Sequence, residues 1–263
     1  MPEPAPSHRH ARRTALVTGP TAGIGAAFAR QLAERRYDLV LVSRDEARLE
    51  GLADELHQRY GVDAEVLVAD LADAAQLSRV EQRVADPVRP VDLLVNNAGF
   101  GHKRAFLDNA VEDEQQMLDV LVTAVLRLSH AALGAMVARG AGAVVNVSSV
   151  AGFLPRGTYS AAKAYVTSMS RWADATYRDQ GVRVMALAPG FTRTEFHARM
   201  DVQQHSAPRW MWLDADRLVH DALADLDAGK SLSIPSRRYK ALTSVARVLP
   251  VPVLSRFQRL GRR

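Results

Sequence analysis

The sequence predicts an α/β protein with one doubly wound parallel sheet and helices on both of its faces. Short runs rich in β-branched residues recur along the chain, separated by stretches rich in Ala, Leu, Glu and Arg. Most of these runs are continuously apolar, as strands buried on both faces of a parallel sheet require. A glycine-rich turn follows the first run, and ligands of such sheets bind beyond the carboxyl ends of the strands.

The predicted strands alternate with helices from one end of the chain to the other. The strands are 15–19, 39–43, 64–70, 91–97, 143–149, 182–188 and a weaker 231–235, and the clearest helices are 23–36, 46–60, 112–138 and 159–180. A chain of 263 residues, 48% of them apolar, has enough material for one core. We expect a flexible N-terminal segment (1–13), a single α/β catalytic domain (14–235) and a basic tail that can form a helix (236–263).

The composition excludes several classes of site and of location. There is no cysteine, which excludes disulfides, thiolate metal sites and cysteine nucleophiles. His197 and His205 have no ligand companions, so we assign them to the surface and expect no metal. The N-terminal segment lacks an apolar core, and no eighteen-residue apolar run occurs without a charge. These features predict a cytoplasmic protein with no transmembrane span.

The net charge of +5 comes from the C-terminal tail. Eight Lys and Arg and no acid lie between Ser236 and Arg263, and removing those eight cations leaves about −3 on the rest of the chain. We therefore do not expect nucleic acid as a partner. Apolar residues recur about once per helical turn in the tail, so it can contact an anionic membrane surface. It can equally pack on the domain, cover a partner subunit or extend the substrate entrance.

The turn after the first strand has the features of a dinucleotide phosphate site. It reads TGPTAGIG and leads into a helix, whose N-terminus offers free N–H groups and the positive end of a dipole. Glycines let the backbone approach a pyrophosphate. Glycines also serve ordinary turns, but the strand before and the helix after favour the nucleotide site. The candidate residues are Gly19, Thr21, Gly23, Ile24 and Gly25.

The ends of the second and third strands bear on the choice of cofactor. Arg44 stands where a fold that prefers NAD carries an acid, and its cation suits a 2′-phosphate, so NADP(H) is favoured over NAD(H). The alternative is a solvated arginine at the start of a helix. Asp70 and Leu71 stand where an adenine ring would pass, although an aspartate capping the next helix would look the same.

Tyr159 and Lys163 are the candidate catalytic pair. Four residues apart on a helix, their side chains share one face. A lysine ammonium there can lower the phenol's pKa, making Tyr159 an acid for carbonyl reduction or a base for alcohol oxidation. The hydroxyl of Ser149, at the end of the preceding strand, can hold the substrate oxygen. Taken alone, this spacing is common on helix surfaces.

Six motifs occur together, in one order, between Thr14 and Pro235. They are TGPTAGIG, Asp70-Leu71, Asn96-Asn97-Ala98-Gly99, Val147-Ser148-Ser149, Tyr159-x-x-x-Lys163 and Pro189-Gly190-Phe191-Thr192-Arg193-Thr194. In these motifs the chain resembles the short-chain dehydrogenase/reductase family. The resemblance implies a Rossmann-type fold of about seven strands, a nicotinamide cofactor, and hydride transfer between alcohols and ketones or aldehydes.

The resemblance also implies individual roles. The serine directly before Val-Ala-Gly matches the catalytic position, which selects Ser149 over Ser148, and Lys163 also holds the nicotinamide ribose. Further cofactor-binding residues implied by the resemblance are Asn97, Ala98, Gly99, Tyr159, Pro189, Gly190, Thr192 and Thr194. It further implies a homodimer or homotetramer formed through helices 112–138 and 159–180.

One position departs from the family pattern. The family usually carries an asparagine, which helps to hold a proton-relaying water, where this chain has Leu121. Either backbone carbonyls or a neighbour such as Thr123 rebuild the relay, or turnover is impaired. We favour a rebuilt relay, since Ser149, Tyr159 and Lys163 are retained. The loop from Ser149 to Tyr159 also looks a few residues shorter than the common form.

The segment after Thr194 suggests the type of substrate. In this family it forms a mobile lid, and here it contains Phe196, Met200, Trp210, Met211 and Trp212. If these residues face inward, the substrate is a small apolar ketone or aldehyde; the tryptophans can equally dock the lid on the core. Two rival functions remain: an NADP(H)-binding protein with little turnover that regulates a partner, and a membrane or nucleic-acid adaptor acting through the tail.

Overall fold

The computed structural model describes residues 12–102, 104–193 and 208–248. Seven strands form one sheet, in the order β3-β2-β1-β4-β5-β6-β7, and every neighbouring pair is parallel. The strands are β1 (Thr14–Thr18), β2 (Asp38–Ser43), β3 (Ala64–Val68), β4 (Leu93–Asn96), β5 (Gly142–Val147), β6 (Val182–Leu187) and β7 (Leu232–Ser233). The predicted parallel sheet is confirmed, with β3, β4 and β7 shorter than expected.

Helices cover both faces of the sheet. The helices of the described residues are α1 (Gly23–Glu34), α2 (Glu46–Tyr60), α3 (Ala74–Ala85), α4 (Val111–Leu118), α5 (Ala124–Arg139), α6 (Thr158–Tyr177), α7 (Ala215–Asp227) and α8 (Arg237–Val248). The helix expected over 112–138 is present, but a π-helical segment, Asp119–Thr123, joins α4 to α5. Helices α3 and α7 were not among the predicted elements.

The first strand shows how the sequence buries both faces. Ala15 and Val17 belong to the core formed with α1, α2 and α7, whereas Leu16 belongs to the core formed with α3 and α5. Side chains alternate between the faces of a strand, so a strand covered on both sides needs apolar residues at every position. The continuous apolar runs therefore report burial by two layers of helices.

The strand order reverses at β1. This strand pairs with β2 on one side and with β4 on the other, so the chain crosses over β1 between β3 and β4. Such a reversal opens a crevice beyond the carboxyl ends of the two strands that flank it, and ligands of open α/β sheets bind there. The turn at Gly19 and the Asn97 segment lie at this point.

The helical stretch Val111–Arg139 is the one described helix long and apolar enough, by length and composition, to cross a membrane. Within it Ala124, Leu128, Ala132 and Met136 face the sheet and belong to one of its two cores. Their burial accounts for the apolar character of that side of α5.

Candidate active site

A cleft of about 1760 Å³ opens beyond the carboxyl ends of the strands. Pockets for one small ligand occupy about 300–1,000 Å³, so this cleft has room for a dinucleotide and a second molecule. Most of the candidate residues line it: Gly19, Thr21, Gly23, Ile24, Arg44, Asp70, Leu71, Asn97, Ala98, Gly99, Ser149, Tyr159, Lys163, Pro189, Gly190 and Thr192. Gly25 lies behind the turn, and Thr194 lies outside the described residues.

The glycine-rich turn is shaped for close backbone approach. Gly19 and Gly23 have φ of 63° and 56°, the left-handed region that favours glycine. A Cβ on Gly25 would overlap the carbonyl oxygen of Gly19, so helix α1 packs directly against the turn. The cradle and the helix N-terminus behind it fit a pyrophosphate.

Two residues hold this turn in place. The amide Nδ2 of Asn97 donates to the carbonyl oxygens of Thr18 (2.9 Å) and Gly19 (3.0 Å). The Thr18 hydroxyl in turn accepts hydrogen bonds from the backbone N–H groups of Asn97 (2.9 Å) and Ala98 (3.0 Å). Thr18 was not among the predicted site residues, because a threonine at the end of a strand has no distinctive pattern.

Arg44 stands at the cleft end nearest β2 and β3. Its guanidinium is 71% exposed and lies 3.6 Å from the Asp70 carboxylate. Helix α2 is capped by Asp45 and helix α3 by Asp73, so neither Arg44 nor Asp70 is used as a cap. The Asp70 Oδ1 accepts a hydrogen bond from the Ala72 N–H at 2.9 Å, and its Oδ2 lies beside Arg44, at the position where the adenosine end of a dinucleotide would lie.

Tyr159 and Lys163 lie together on the first turns of α6. The Tyr159 phenol is hydrogen-bonded to Ser149, and burial raises the pKa of Tyr159 to about 12 while that bond opposes the rise. Burial lowers the pKa of Lys163 to about 8. The expected lowering of the phenol's pKa by lysine is thus not the dominant effect in this structure. The high pKa keeps the phenol protonated at neutral pH.

The two neighbouring serines have different environments. Ser148 is buried, and its hydroxyl is bonded to the Lys163 carbonyl and the Thr167 hydroxyl, each at 2.7 Å. Ser149 is less buried, and its hydroxyl accepts a hydrogen bond from the Ala151 N–H at 3.1 Å and is bonded to the Tyr159 phenol. Both serines line the cleft, but only the Ser149 hydroxyl lies beside the phenol, whereas that of Ser148 is bonded to α6.

Leu121 fills the place of the expected asparagine. It is fully buried within the π-helical segment and packs with Met117 and Ala162. A Cβ on Gly99 would lie 2.7 Å from Leu121 Cδ2 and 3.8 Å from Lys163 Nζ, so the leucine and the lysine flank the same backbone. The Lys163 Nζ donates to the Val147 carbonyl at 2.7 Å.

Helix α8 forms part of the wall of the cleft. Tyr239 is 4% exposed, its hydroxyl donates to the Met211 carbonyl at 2.8 Å, and it accepts from the Phe191 N–H at 3.1 Å. A Cβ on Gly190 would overlap its ring. Residues of α8 line the cleft, namely Tyr239, Leu242, Thr243, Val245 and Ala246. The described part of the basic tail therefore packs on the domain and extends the wall of the cleft.

The residues just before α7 serve both of the roles that the sequence left open, lining the cleft and docking on the core. Trp210 and Met211 line the cleft, whereas Trp212 packs on Phe191 with ring centroids 5.6 Å apart. Phe196, Met200, His197 and His205 lie outside the described residues. Among the described residues, no group of three or more His, Asp or Glu side chains is arranged to hold a metal ion.

Comparisons with known proteins agree with this geometry. The family model described as short chain dehydrogenase matches residues 13–205. A short-chain dehydrogenase from Sphingobium yanoikuyae, solved in complex with NADPH, is 36% identical with a TM-score of 0.83, over 89% of this chain and 93% of that one. Sulfoacetaldehyde reductase 2 of Chromohalobacter salexigens is 34% identical over 80% of this chain and 85% of the reductase.

Two further oxidoreductases are similar to this chain. A bulky-bulky ketone specific alcohol dehydrogenase from Comamonas testosteroni is 31% identical with a TM-score of 0.78, over 89% of this chain and 91% of that one. Very-long-chain 3-oxoacyl-CoA reductase of Anas platyrhynchos is 32% identical over 69% of this chain, but the match spans 60% of that reductase. The chain belongs to the short-chain dehydrogenase/reductase family of nicotinamide-dependent oxidoreductases.

Proposed function

We propose that the protein is an NADP(H)-dependent reductase of apolar ketones or aldehydes in which Tyr159 is the acid. One observation carries the proposal: a protonated phenol, hydrogen-bonded to Ser149 and adjacent to a buried lysine, faces a cleft with room for two ligands. Such a phenol is an acid held at the point where a carbonyl oxygen would develop negative charge.

The residues divide the chemistry as follows. When bound, NADPH supplies the hydride that adds to the carbonyl carbon. Tyr159 donates its proton to the carbonyl oxygen, and the Ser149 hydroxyl hydrogen-bonds that oxygen and orients it. Lys163, fixed by its bond to the Val147 carbonyl, places a positive charge beside the phenol and stabilises the phenolate that forms. Alcohol oxidation is the reverse, with Tyr159 as the base.

The preference for NADP(H) over NAD(H) rests on Arg44. An exposed guanidinium at the end of β2 suits a 2′-phosphate, because its planar fork can bind two phosphate oxygens. The related dehydrogenase from Sphingobium yanoikuyae was solved with NADPH, which supports the same choice. Asp70, 3.6 Å from Arg44, keeps the guanidinium at the edge of the cleft.

An apolar carbonyl substrate follows from the wall of the cleft. Aromatic and aliphatic side chains supply much of the lining: Phe100, Phe106, Met117, Phe153, Leu154, Trp210, Met211, Leu242 and Val245. Apolar walls with few polar groups are typical of sites for small organic ligands. The related dehydrogenase specific for bulky-bulky ketones supports this choice.

Assembly into a homodimer or homotetramer is part of the same proposal. Leu126 on α5 and Tyr165 and Trp172 on α6 are large apolar side chains that remain exposed. Exposed apolar residues on neighbouring long helices are typical of surfaces that another subunit covers. Light scattering of the purified protein would measure the number of subunits directly.

The test of the proposed function is cofactor consumption. We expect the protein to oxidise NADPH faster than NADH with at least one compound from a panel of apolar ketones, aldehydes and quinones. If the protein binds NADPH but turns over none of these compounds, the proposal fails, and a regulatory protein that senses NADP(H) becomes the better account.

A further inference from the structure

One polar group in the cleft wall has no role in the chemistry above. Glu114 in α4 lines the cleft and is 7% exposed. Its Oε1 accepts a 2.7 Å hydrogen bond from Asn109 Nδ2, but its Oε2 is buried without a hydrogen-bond partner. Leaving a buried acceptor without a hydrogen bond destabilises the folded protein. Such an atom in a native protein requires an explanation.

The local structure around Glu114 does not explain why its Oε2 has no hydrogen-bond partner. Carboxylates near the start of a helix commonly accept backbone N–H groups, but α4 begins after Ala110 with no side-chain cap. No ion pair joins Glu114 to another described residue. Glu112 and Asp113, in the same turn, are exposed, so burial is particular to Glu114.

The position of Glu114 relates it to the catalytic pair. Glu114, Met117 and Leu121 follow one another at intervals of three and four residues, so they share one face of the helix, and all three line the cleft. Seven residues of helix correspond to about 10 Å along its axis. The Glu114 carboxyl therefore lies about 10 Å, measured along the helix axis, from the level of Leu121 and Lys163.

We propose that Glu114, supported by Asn109, binds the substrate by accepting a hydrogen bond from a hydroxyl group at the end remote from the carbonyl. This inference rests on the proposed function and narrows its substrate class to apolar hydroxyketones or hydroxyaldehydes. A hydroxyl suits the site better than an ammonium. Arg104, in the loop that carries Asn109, also lines the cleft, and its positive charge would repel an ammonium. The O–H of a hydroxyl would satisfy Oε2 inside an otherwise apolar wall.

The experiment compares two ketones that differ in one group. A bicyclohexyl ketone with a hydroxyl on its far ring carbon matches the separation along the helix, and the same ketone without the hydroxyl is the reference. Binding of each to the NADP⁺-loaded protein is measured by calorimetry, and kcat/KM by NADPH consumption. Wild type, Glu114→Met and the control Glu112→Met are compared, with the near-isosteric Glu114→Gln as a second variant in case the methionine variant does not fold.

We expect wild type and Glu112→Met to bind the hydroxyketone about tenfold tighter than the reference, as one hydrogen bond in a buried site allows. Glu114→Met should lose this preference and Glu114→Gln should weaken it. Equal preference in wild type and both Glu114 variants, or none in wild type, would overturn the inference. Binding that discriminates without NADPH consumption would instead contradict the proposed function and leave the role of Glu114 standing.

Discussion

The Nζ atom of Lys163 lies 5.7 Å from the centroid of the Tyr159 ring. Burial acts on these two groups in opposite directions, because it disfavours whichever form is charged. It keeps the phenol neutral by raising its pKa, and it makes the ammonium easier to deprotonate by lowering its pKa. The phenol therefore stays protonated at neutral pH, as the proposed role of Tyr159 as proton donor requires.

The lowered pKa of Lys163 predicts how stability depends on pH. Lysine has a pKa of 10.5 when exposed and about 8 here, so between these values the unfolded chain binds more protons than the folded one. Stability then rises with pH across that window. Between the two ends of this pH window, the free energy of unfolding of wild type should rise by about 3 kcal/mol relative to that of Lys163→Met. Urea unfolding of both proteins at several pH values measures this, and parallel pH profiles would contradict it.

Arg44→Ala should weaken the use of NADPH and leave that of NADH nearly unchanged. The substitution removes a cation from the expected 2′-phosphate site, and one charge-assisted contact of this kind is worth about 1.5–3 kcal/mol, or roughly 10- to 100-fold in KM. The control is Arg59→Ala, because Arg59 is an exposed cation on α2 outside the cleft. Equal effects of Arg44→Ala on both cofactors would show that this residue does not select between them.

Leu121→Asn should not activate the enzyme. Leu121 is buried among apolar side chains in the π-helical segment, and an amide placed there without partners costs about 1–3 kcal/mol. We expect a lower melting temperature and a turnover number within a few-fold of wild type. Steady-state kinetics and thermal unfolding measure both. A rise in turnover by orders of magnitude would mean that the leucine impairs a proton relay that the asparagine restores.

Gly190 and Tyr239 should be energetically coupled. Gly190→Ala places a Cβ where the Tyr239 ring lies, which should destabilise the protein by about 1–3 kcal/mol. In a Tyr239→Ala background the same change should cost much less. The control is Gly51→Ala, because a Cβ there meets nothing within 4 Å. Unfolding free energies of the single and double variants give the coupling, and additive effects would contradict the contact.

The sheet was predictable because its strands are covered on both faces. A run such as Leu39–Val42, buried at every position, has no period of two, as the strands of a parallel sheet between two helical layers require. The glycine-rich turn could equally be predicted from the sequence, because the φ angles of Gly19 and Gly23 lie in the left-handed region that favours glycine. These features depend on residues that are close together in the sequence, so they can be predicted from the sequence alone.

The rest of the site depends on contacts between distant parts of the chain. Tyr239 packs on Gly190 across nearly fifty residues, and nothing in the spacing of the basic tail indicates that partner. The buried Oε2 of Glu114 is likewise invisible in a helix turn with three consecutive acids. The pKa of Tyr159 was expected to fall, but burial raises it and outweighs the opposing hydrogen bond to Ser149, and burial is a property of the whole fold.

Tyr159→Phe tests the central claim most directly. It removes one hydroxyl from the cleft, whereas the control Tyr60→Phe removes one from a tyrosine at the end of α2, outside the cleft. We measure NADPH consumption with the best ketone found and NADPH affinity by fluorescence. The account predicts that Tyr159→Phe loses about 10²- to 10⁴-fold in kcat while still binding NADPH, and that Tyr60→Phe matches wild type. A Tyr159→Phe enzyme with wild-type turnover would contradict the assignment of Tyr159 as the proton donor.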